Sequence, residues 1–232
     1  MNVEFTEWDH VFKLDPAKEI SDINLEKLCE SGTDAIMIGG TDNVTFDNVL
    51  ELMYRVRQYA LPCVLEISTI DAISPGFDRY FVPTVFNSTE KKWVIDIQHE
   101  AIKQYSHLMN WDEIVMEGYC ILNPEAKAFQ KTNCFVPNLN DIISYAQMAE
   151  KMFHLPIFYI EYSGTYGDPN VVKEVKRVLS ETRLFYGGGI TTKEEAEEMK
   201  QYADTIVVGN SIYTHFTEAL ATVKAVKKGN NK

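Results

Sequence analysis

The chain has 232 residues, 45% hydrophobic and 24% charged, enough for one barrel-sized domain or two small ones. Its 34 acidic against 22 basic residues leave a net charge of −12, which argues against nonspecific nucleic-acid binding and opposes any anionic ligand lacking a locally built site. Four scattered cysteines (Cys29, Cys63, Cys120 and Cys134) form no CxxC pair, Met1 to Trp8 hold no apolar leader segment, and no apolar run nears the roughly 20 residues of a membrane span; these features indicate a soluble, cytoplasmic protein with reduced thiols.

Short apolar runs alternate with amphipathic stretches along the chain. The first strand is expected at His10–Leu14, followed by a helix over Ile23–Cys29 that opens at Asp22. A second strand, Ala35–Ile38, runs into Gly39-Gly40-Thr41-Asp42 and a helix within Val44–Tyr59 opened by Thr45. The third strand, Cys63–Ile67, precedes a stretch in which Pro75-Gly76 breaks any helix, so the third helix of a regular barrel should be missing or replaced.

Strands follow at Tyr80–Phe86 and Glu113–Tyr119, then a helix over Ile142–Phe153 from Asn140-Asp141. The strand Ile157–Tyr162 and the helix Val171–Leu179 come next. The strand Arg183–Tyr186 opens into Gly187-Gly188-Gly189 before a helix over Lys193–Tyr202, which a Thr192–Glu195 capping box should start. The last strand, Thr205–Val208, opens into Gly209-Asn210-Ser211 before a helix over Phe216–Val226. Lys224 to Lys232 reads as a basic, flexible tail.

Eight strands in β-then-α order without a flexible linker predict one α/β domain over 1–232, a modified TIM-type (β/α)8 barrel. An open doubly wound sheet is the alternative, but no GxGxxG turn is present. The two glycine openings after strands seven and eight sit where such barrels build a phosphate cup from main-chain amides and helix starts. Otherwise they simply turn a strand into a helix.

Strand parity says which polar residues face the lumen. Lys13 and Asp15 share the face opposite Phe12 and Leu14, and in a dry interior they need each other, a metal or an anion. Tyr159 and Glu161 point inward in the same way, which makes Glu161 a candidate general base. Glu66 and Glu117 have similar parity and could be structural or functional. Gly39 to Asp42 could bring oxygen donors near Asp15, a set that suits Mg2+. The five histidines show no zinc spacing, and no GxSxG elbow occurs. Aromatics gather at Trp93, Tyr105, Trp111, Tyr119 and Phe129; most should be core, with a few lining an apolar groove.

Taken together, Lys13-Leu14-Asp15-Pro16, Gly39-Gly40-Thr41, Pro83 to Ser88, Tyr159 to Gly164, Gly187 to Ile190 and Val208-Gly209-Asn210 resemble the geranylgeranylglyceryl phosphate synthase family, and its bacterial PcrB branch most closely. The resemblance implies a homodimeric, Mg2+-dependent prenyltransferase that joins a prenyl diphosphate, heptaprenyl in this branch, to sn-glycerol-1-phosphate through an ether bond. Lys13, Tyr159, Ile160, Glu161, Tyr162, Ser163, Gly164, Gly189, Gly209 and Asn210 would then hold glycerol-1-phosphate. Asp15 and Thr41 would serve the Mg2+, and Glu161 would be the catalytic acid–base group. An amphiphilic product would allow transient membrane contact. Without the resemblance, a phosphosugar isomerase or lyase using Lys13 as a Schiff-base nucleophile is open, as is an idle phosphoprenyl-binding protein.

Overall fold

A computed structural model describes residues 4–227. The apolar runs form eight strands: β1 (His10–Leu14), β2 (Ala35–Ile38), β3 (Cys63–Glu66), β4 (Arg79–Val85), β5 (Ile114–Ile121), β6 (Ile157–Glu161), β7 (Arg183–Gly187) and β8 (Thr205–Val208). Each pairs in parallel with the next and β8 returns to β1, closing the barrel in chain order. Because side chains alternate, each strand feeds two cores. Phe12, Leu14, Ile36, Ile38, Ile160 and Val208 pack outward under the helices, while Val11, Met37, Val64, Tyr159, Phe185 and Val207 fill the lumen. Trp8 stacks on Phe81 at 6.1 Å and Phe81 meets Phe185 edge-on at 6.3 Å, so aromatic rings plug the N-terminal end of the lumen.

The helices are α1 (Asp22–Cys29), α2 (Phe46–Val56), α3 (Ile97–Tyr105), α4 (Lys127–Lys131), α5 (Leu139–Gln147), α6 (Pro169–Lys176), α7 (Lys193–Lys200), α8 (Ser211–Thr214) and α9 (Phe216–Lys227). As expected, no full helix joins β3 to β4. A single 3-10 turn, Ile70–Ala72, stands there, and Gly76 takes a φ of +106° just beyond it. Thr45 and Thr192 cap α2 and α7 with reciprocal boxes.

Elsewhere the structure corrects the sequence reading. Ser21, not Asp22, caps α1, and α5 starts at an Asn138–Asp141 box ahead of Asn140. A π-helical turn, Lys92–Asp96, leads into α3, and neither of these, nor α4 or the single-turn α8, was foreseen. Lys224 to Lys227 are not tail but the last turn of α9, tied down by a 2.7 Å ion pair between Lys227 and Asp34; residues 228–232 lie outside the described residues. All four cysteines are free, three of them buried. No helix among the described residues is long and apolar enough to cross a membrane.

His10 ties this closure together. Fully buried, its ring bonds Thr33 Oγ1 through Nδ1 and Thr222 Oγ1 through Nε2, both at 2.9 Å, linking β1 to the turn before β2 and to α9. Burial, with a smaller push from Lys227, lowers its pKa from 6.5 to about 3 against the opposing pull of Asp34. The unfolded chain therefore takes the proton first, so stability is unaffected above pH 6.5 and falls between 6.5 and 3. Acidification from pH 7 to 5 should remove about 2 kcal/mol through this residue. Urea unfolding of wild type and His10→Gln at both pH values checks it; an identical pH dependence in the two proteins would contradict the assignment.

Candidate active site

The C-terminal ends of the strands open into one continuous cavity of about 540 Å³. One side is a cup made by Ser163 to Thr165, Gly187 to Thr191 and Gly209 to Ser211. The other is a more apolar groove that includes Pro83, Val85, Trp93, Ile97 and Ile121. Lys13 and Glu161 stand between them.

The glycines of the cup are demanded by close approaches. A Cβ on Gly187 would lie 2.1 Å from the Tyr159 hydroxyl, and one on Gly189, whose φ is +59°, would lie 2.0 Å from the Thr165 carbonyl carbon. Glycine here lets the β7–α7 loop press against the β6–α6 loop. Gly209 differs: a Cβ would sit at an ordinary 3.5 Å from the Lys13 carbonyl oxygen, so nothing in the protein excludes a side chain and glycine simply keeps the cup open. The amides of Gly188, Gly189 and Ile190 donate to no acceptor among the described residues. The start of α7 contributes less than expected, because the amides of Thr191 and Thr192 already donate to Glu195 Oε2. Two buried hydroxyls lining the cavity, Tyr159 Oη and Ser211 Oγ, have no partner. Free donors of this kind, around a bare-backbone loop, suit an anionic oxygen ligand.

In the lumen beneath, Lys13 Nζ lies 2.5 Å from Glu66 Oε2 and 3.9 Å from Glu161 Oε2. It donates to Tyr119 Oη at 3.4 Å, and Tyr119 Oη donates to Glu161 Oε2 at 3.0 Å. The Tyr119 and Tyr159 rings stack at 4.6 Å, with the Lys13 ammonium 5.9 and 5.6 Å from their centres. Burial pushes the Glu161 carboxyl above its ordinary range, against the pull of Lys13 and Tyr119. For Lys13, burial favours the neutral amine, but Glu66 and Glu161 outweigh it and hold the ammonium. The Lys13–Asp15 pairing weighed from sequence does not form; Glu66 takes that place.

Asp15 lies above, at the rim. Its Oδ1 accepts from Ala17 N at 3.0 Å, and a Cβ on Gly40 would come within 2.5 Å of the same oxygen, so the Gly39-Gly40-Thr41 turn closes directly onto this carboxylate. Thr41 lines the cavity, and its carbonyl accepts from Lys131 Nζ of α4. No cluster of three or more His, Cys, Asp or Glu side chains that could hold a metal occurs among the described residues. A cation here would depend on Asp15, Thr41 and its own ligands, a sparse oxygen set that Mg2+ accepts.

Of the residues expected from sequence, Lys13, Asp15, Thr41, Tyr159, Glu161, Ser163, Gly164, Gly189, Gly209 and Asn210 all line the cavity. Ile160 and Tyr162 do not. Strand parity turns both into the layer beneath the helices, where Ile160 is fully buried and Tyr162 packs against the core and Gly188. Tyr119, Ser211, Ser68, Trp93 and Gln98 also line the cavity. Tyr119 could have been found by parity from Glu117, and Ser211 as the next residue of the Gly209-Asn210 turn. Ser68 Oγ, Trp93 Nε1 and Gln98 Oε1 are buried polar atoms without partners, all on the groove side.

Comparison with known proteins places this geometry. The PcrB family model matches residues 3–227. The heptaprenylglyceryl phosphate synthase of Oceanobacillus iheyensis is 64% identical over 222 residues, covering 95% of this chain and 97% of its own. That of Geobacillus kaustophilus is 59% identical over 226 residues, covering 97% and 95%. Among solved structures, the (S)-3-O-geranylgeranylglyceryl phosphate synthase of Thermoplasma acidophilum, crystallised with sn-glycerol-1-phosphate, superposes with a TM-score of 0.86 at 23% identity, covering 98% of this chain and 99% of its own. A thiamine phosphate pyrophosphorylase from Pyrococcus furiosus shares the fold with a TM-score of 0.62 at 12% identity, covering 97% and 98%. The match along nearly the whole length shows that the chain belongs to the PcrB family.

Proposed function

We infer that this chain is a prenyltransferase of the heptaprenylglyceryl phosphate synthase type, forming an ether bond between sn-glycerol-1-phosphate and a long prenyl diphosphate and releasing diphosphate. The observation that carries it is the continuous cavity joining an amide-lined cup to an apolar groove, with the buried carboxyl of Glu161 among its lining residues beside the Lys13–Glu66 pair. The names of the relatives at 59–64% identity support both substrates. Glycerol-1-phosphate sits with its phosphate on the Gly188–Ile190 amides and the hydroxyls of Tyr159 and Ser211, which fixes its free hydroxyl near Glu161. Glu161, oriented by Tyr119, accepts the hydroxyl proton as the oxygen bonds the prenyl carbon and the carbon–diphosphate bond breaks. Burial holds its carboxyl above the ordinary range, which makes its carboxylate a stronger proton acceptor than that of an exposed glutamate. Lys13 keeps the site's carboxylates in place and adds positive charge beside the anionic substrates.

The diphosphate end of the donor belongs near Asp15, Thr41 and Lys131, with the hydrocarbon along the groove of Val85, Trp93 and Ile97. Asp15 and Thr41 are the residues that would hold Mg2+. When bound, the ion offsets the negative charge growing on the departing diphosphate. The enzyme acts as a homodimer in the cytoplasm, where its four free thiols suit a reducing compartment; sedimentation as a monomer would overturn the dimer.

The rival Schiff-base reading needs a neutral lysine, whereas Lys13 is an ion-paired ammonium. The deciding assay incubates the enzyme with labelled glycerol-1-phosphate, Mg2+ and prenyl diphosphates of increasing length, then extracts with organic solvent. Label should move into the organic phase, and the longest efficient donor reports chain length. Label that stays in water with every donor would overturn the reading.

A further inference from the structure

Glu117 is the lumen carboxyl that the steps above leave unused. It lies on β5 two residues before Tyr119, fully buried, in register with Pro83 of β4 and Ile157 of β6. Neither of its oxygens has a hydrogen-bond partner, and Glu66 Oε1 has none either. The groups facing it are Glu66 from β3, Lys13 from β1, and Glu161 from β6. The phenols of Tyr119, on its own strand, and Tyr159 of β6 belong to the same cluster. The other strands add the apolar side chains Met37, Phe81, Phe185 and Val207 to the lumen, and Arg183 of β7, which shares the parity of Phe185, is engaged at the N-terminal end with Trp8 O, Asp204 O and Thr205 Oγ1. One ammonium therefore faces three carboxyls, and Glu66 already holds it at 2.5 Å. A carboxylate at Glu117 would have no donor and two like-charged neighbours in a dry interior, a combination that buried acids resolve by keeping their proton.

We propose that Glu117 is a positioning residue that works as the neutral carboxylic acid: uncharged, it leaves Lys13 to Glu66 and Glu161 so that Glu161 remains the ionised base, and loss of its proton in alkali switches the site off. Only the identification of Glu161 as base rests on the prenyl-transfer reading. As an acid Glu117 has one O–H to donate, and the unpartnered Glu66 Oε1 is the acceptor to which it can turn, directly or through one water. Burial and the neighbouring Glu66 both hold its carboxyl well above the ordinary range. Ionisation would place a further negative charge beneath the cup, drawing Lys13 away from Glu161 and repelling the substrate phosphate.

Glu117→Gln tests this, since glutamine has the shape of the protonated acid and cannot ionise. At pH 7 its kcat/KM should stay within about threefold of wild type, while the alkaline fall of the kcat/KM profile should move up by about one pH unit or more. The infrared carbonyl band of a buried protonated carboxyl should be present in the resting wild-type enzyme at pH 7, disappear on alkaline titration and be missing from E117Q. A loss of more than about tenfold at pH 7 in a variant that melts like wild type would overturn the proposal. Superimposable pH profiles would do the same, as would absence of the band from the wild type. If E117Q does not fold, the wild-type band and its alkaline loss decide the matter alone. The infrared measurement needs no substrate, so a band without product formation would count against prenyl transfer and not against the neutral acid.

Discussion

Glu161→Gln should lower kcat by about 10²–10⁴-fold, the range that a positioned general base contributes. Glutamine keeps the shape of the side chain and can still meet the Tyr119 hydroxyl, but it cannot take a proton from the glycerol hydroxyl. Glycerol-1-phosphate should bind nearly as before, because the contacts proposed for its phosphate lie elsewhere in the cavity, on the Gly188–Ile190 loop and the unpartnered Tyr159 and Ser211 hydroxyls. The expected pattern is a collapse in kcat with little change in binding measured calorimetrically. Full activity in this variant would remove Glu161 from the chemistry. Equal losses in binding and turnover would make it a binding residue.

Lys13→Met should have the largest effect on stability. Methionine fills much of the lysine stem but removes the only ammonium that faces Glu66, Glu117 and Glu161 among the described residues. Breaking a buried ion pair by deleting one partner costs about 3–5 kcal/mol, since the other charge is left uncompensated. The sign with pH follows from the carboxyls left behind. In the folded variant they hold protons more tightly than in the unfolded chain, so stability survives at low pH and is lost as pH rises. Urea unfolding of wild type and variant at pH 5 and 8 checks both points. A deficit that is small, or that shrinks toward alkaline pH, would show that Lys13 is not the counter-charge of this cluster.

Strand parity carried most of the site in advance. A two-residue period is enough to turn Lys13, Glu66, Glu117, Tyr159 and Glu161 inward, because once a barrel closes every strand has the same inside. Applied to its end, the same rule also excludes Ile160 and Tyr162, which a motif read as one block had swept in with Glu161. The absence of a full helix after β3 was equally visible, since Pro75-Gly76 forbids one locally.

The segment after β4 was not legible. None of the residues of Lys92–Asp96 or α3 is fully buried, so no apolar stripe at helical spacing marks them, and the π turn displaces what periodicity there is. Yet this segment supplies Trp93, Ile97 and Gln98 to the groove. At five residues, α4 is too short to show a period at all, although it brings Lys131 over Thr41.

By itself the sequence determined the barrel, its closed chain order, the glycine-lined cup and the inward set of charged residues, all of which follow from local period and from turn chemistry. Only the tertiary structure decided the partners. Lys13 is neutralised by Glu66 rather than Asp15, Asp15 is left at the rim against Gly40, and Glu117 stays without a donor. Those outcomes depend on which side chains meet across the lumen from strands far apart in sequence. In that dry interior a few ångströms decide whether a charge is paired, shared or given up to a proton.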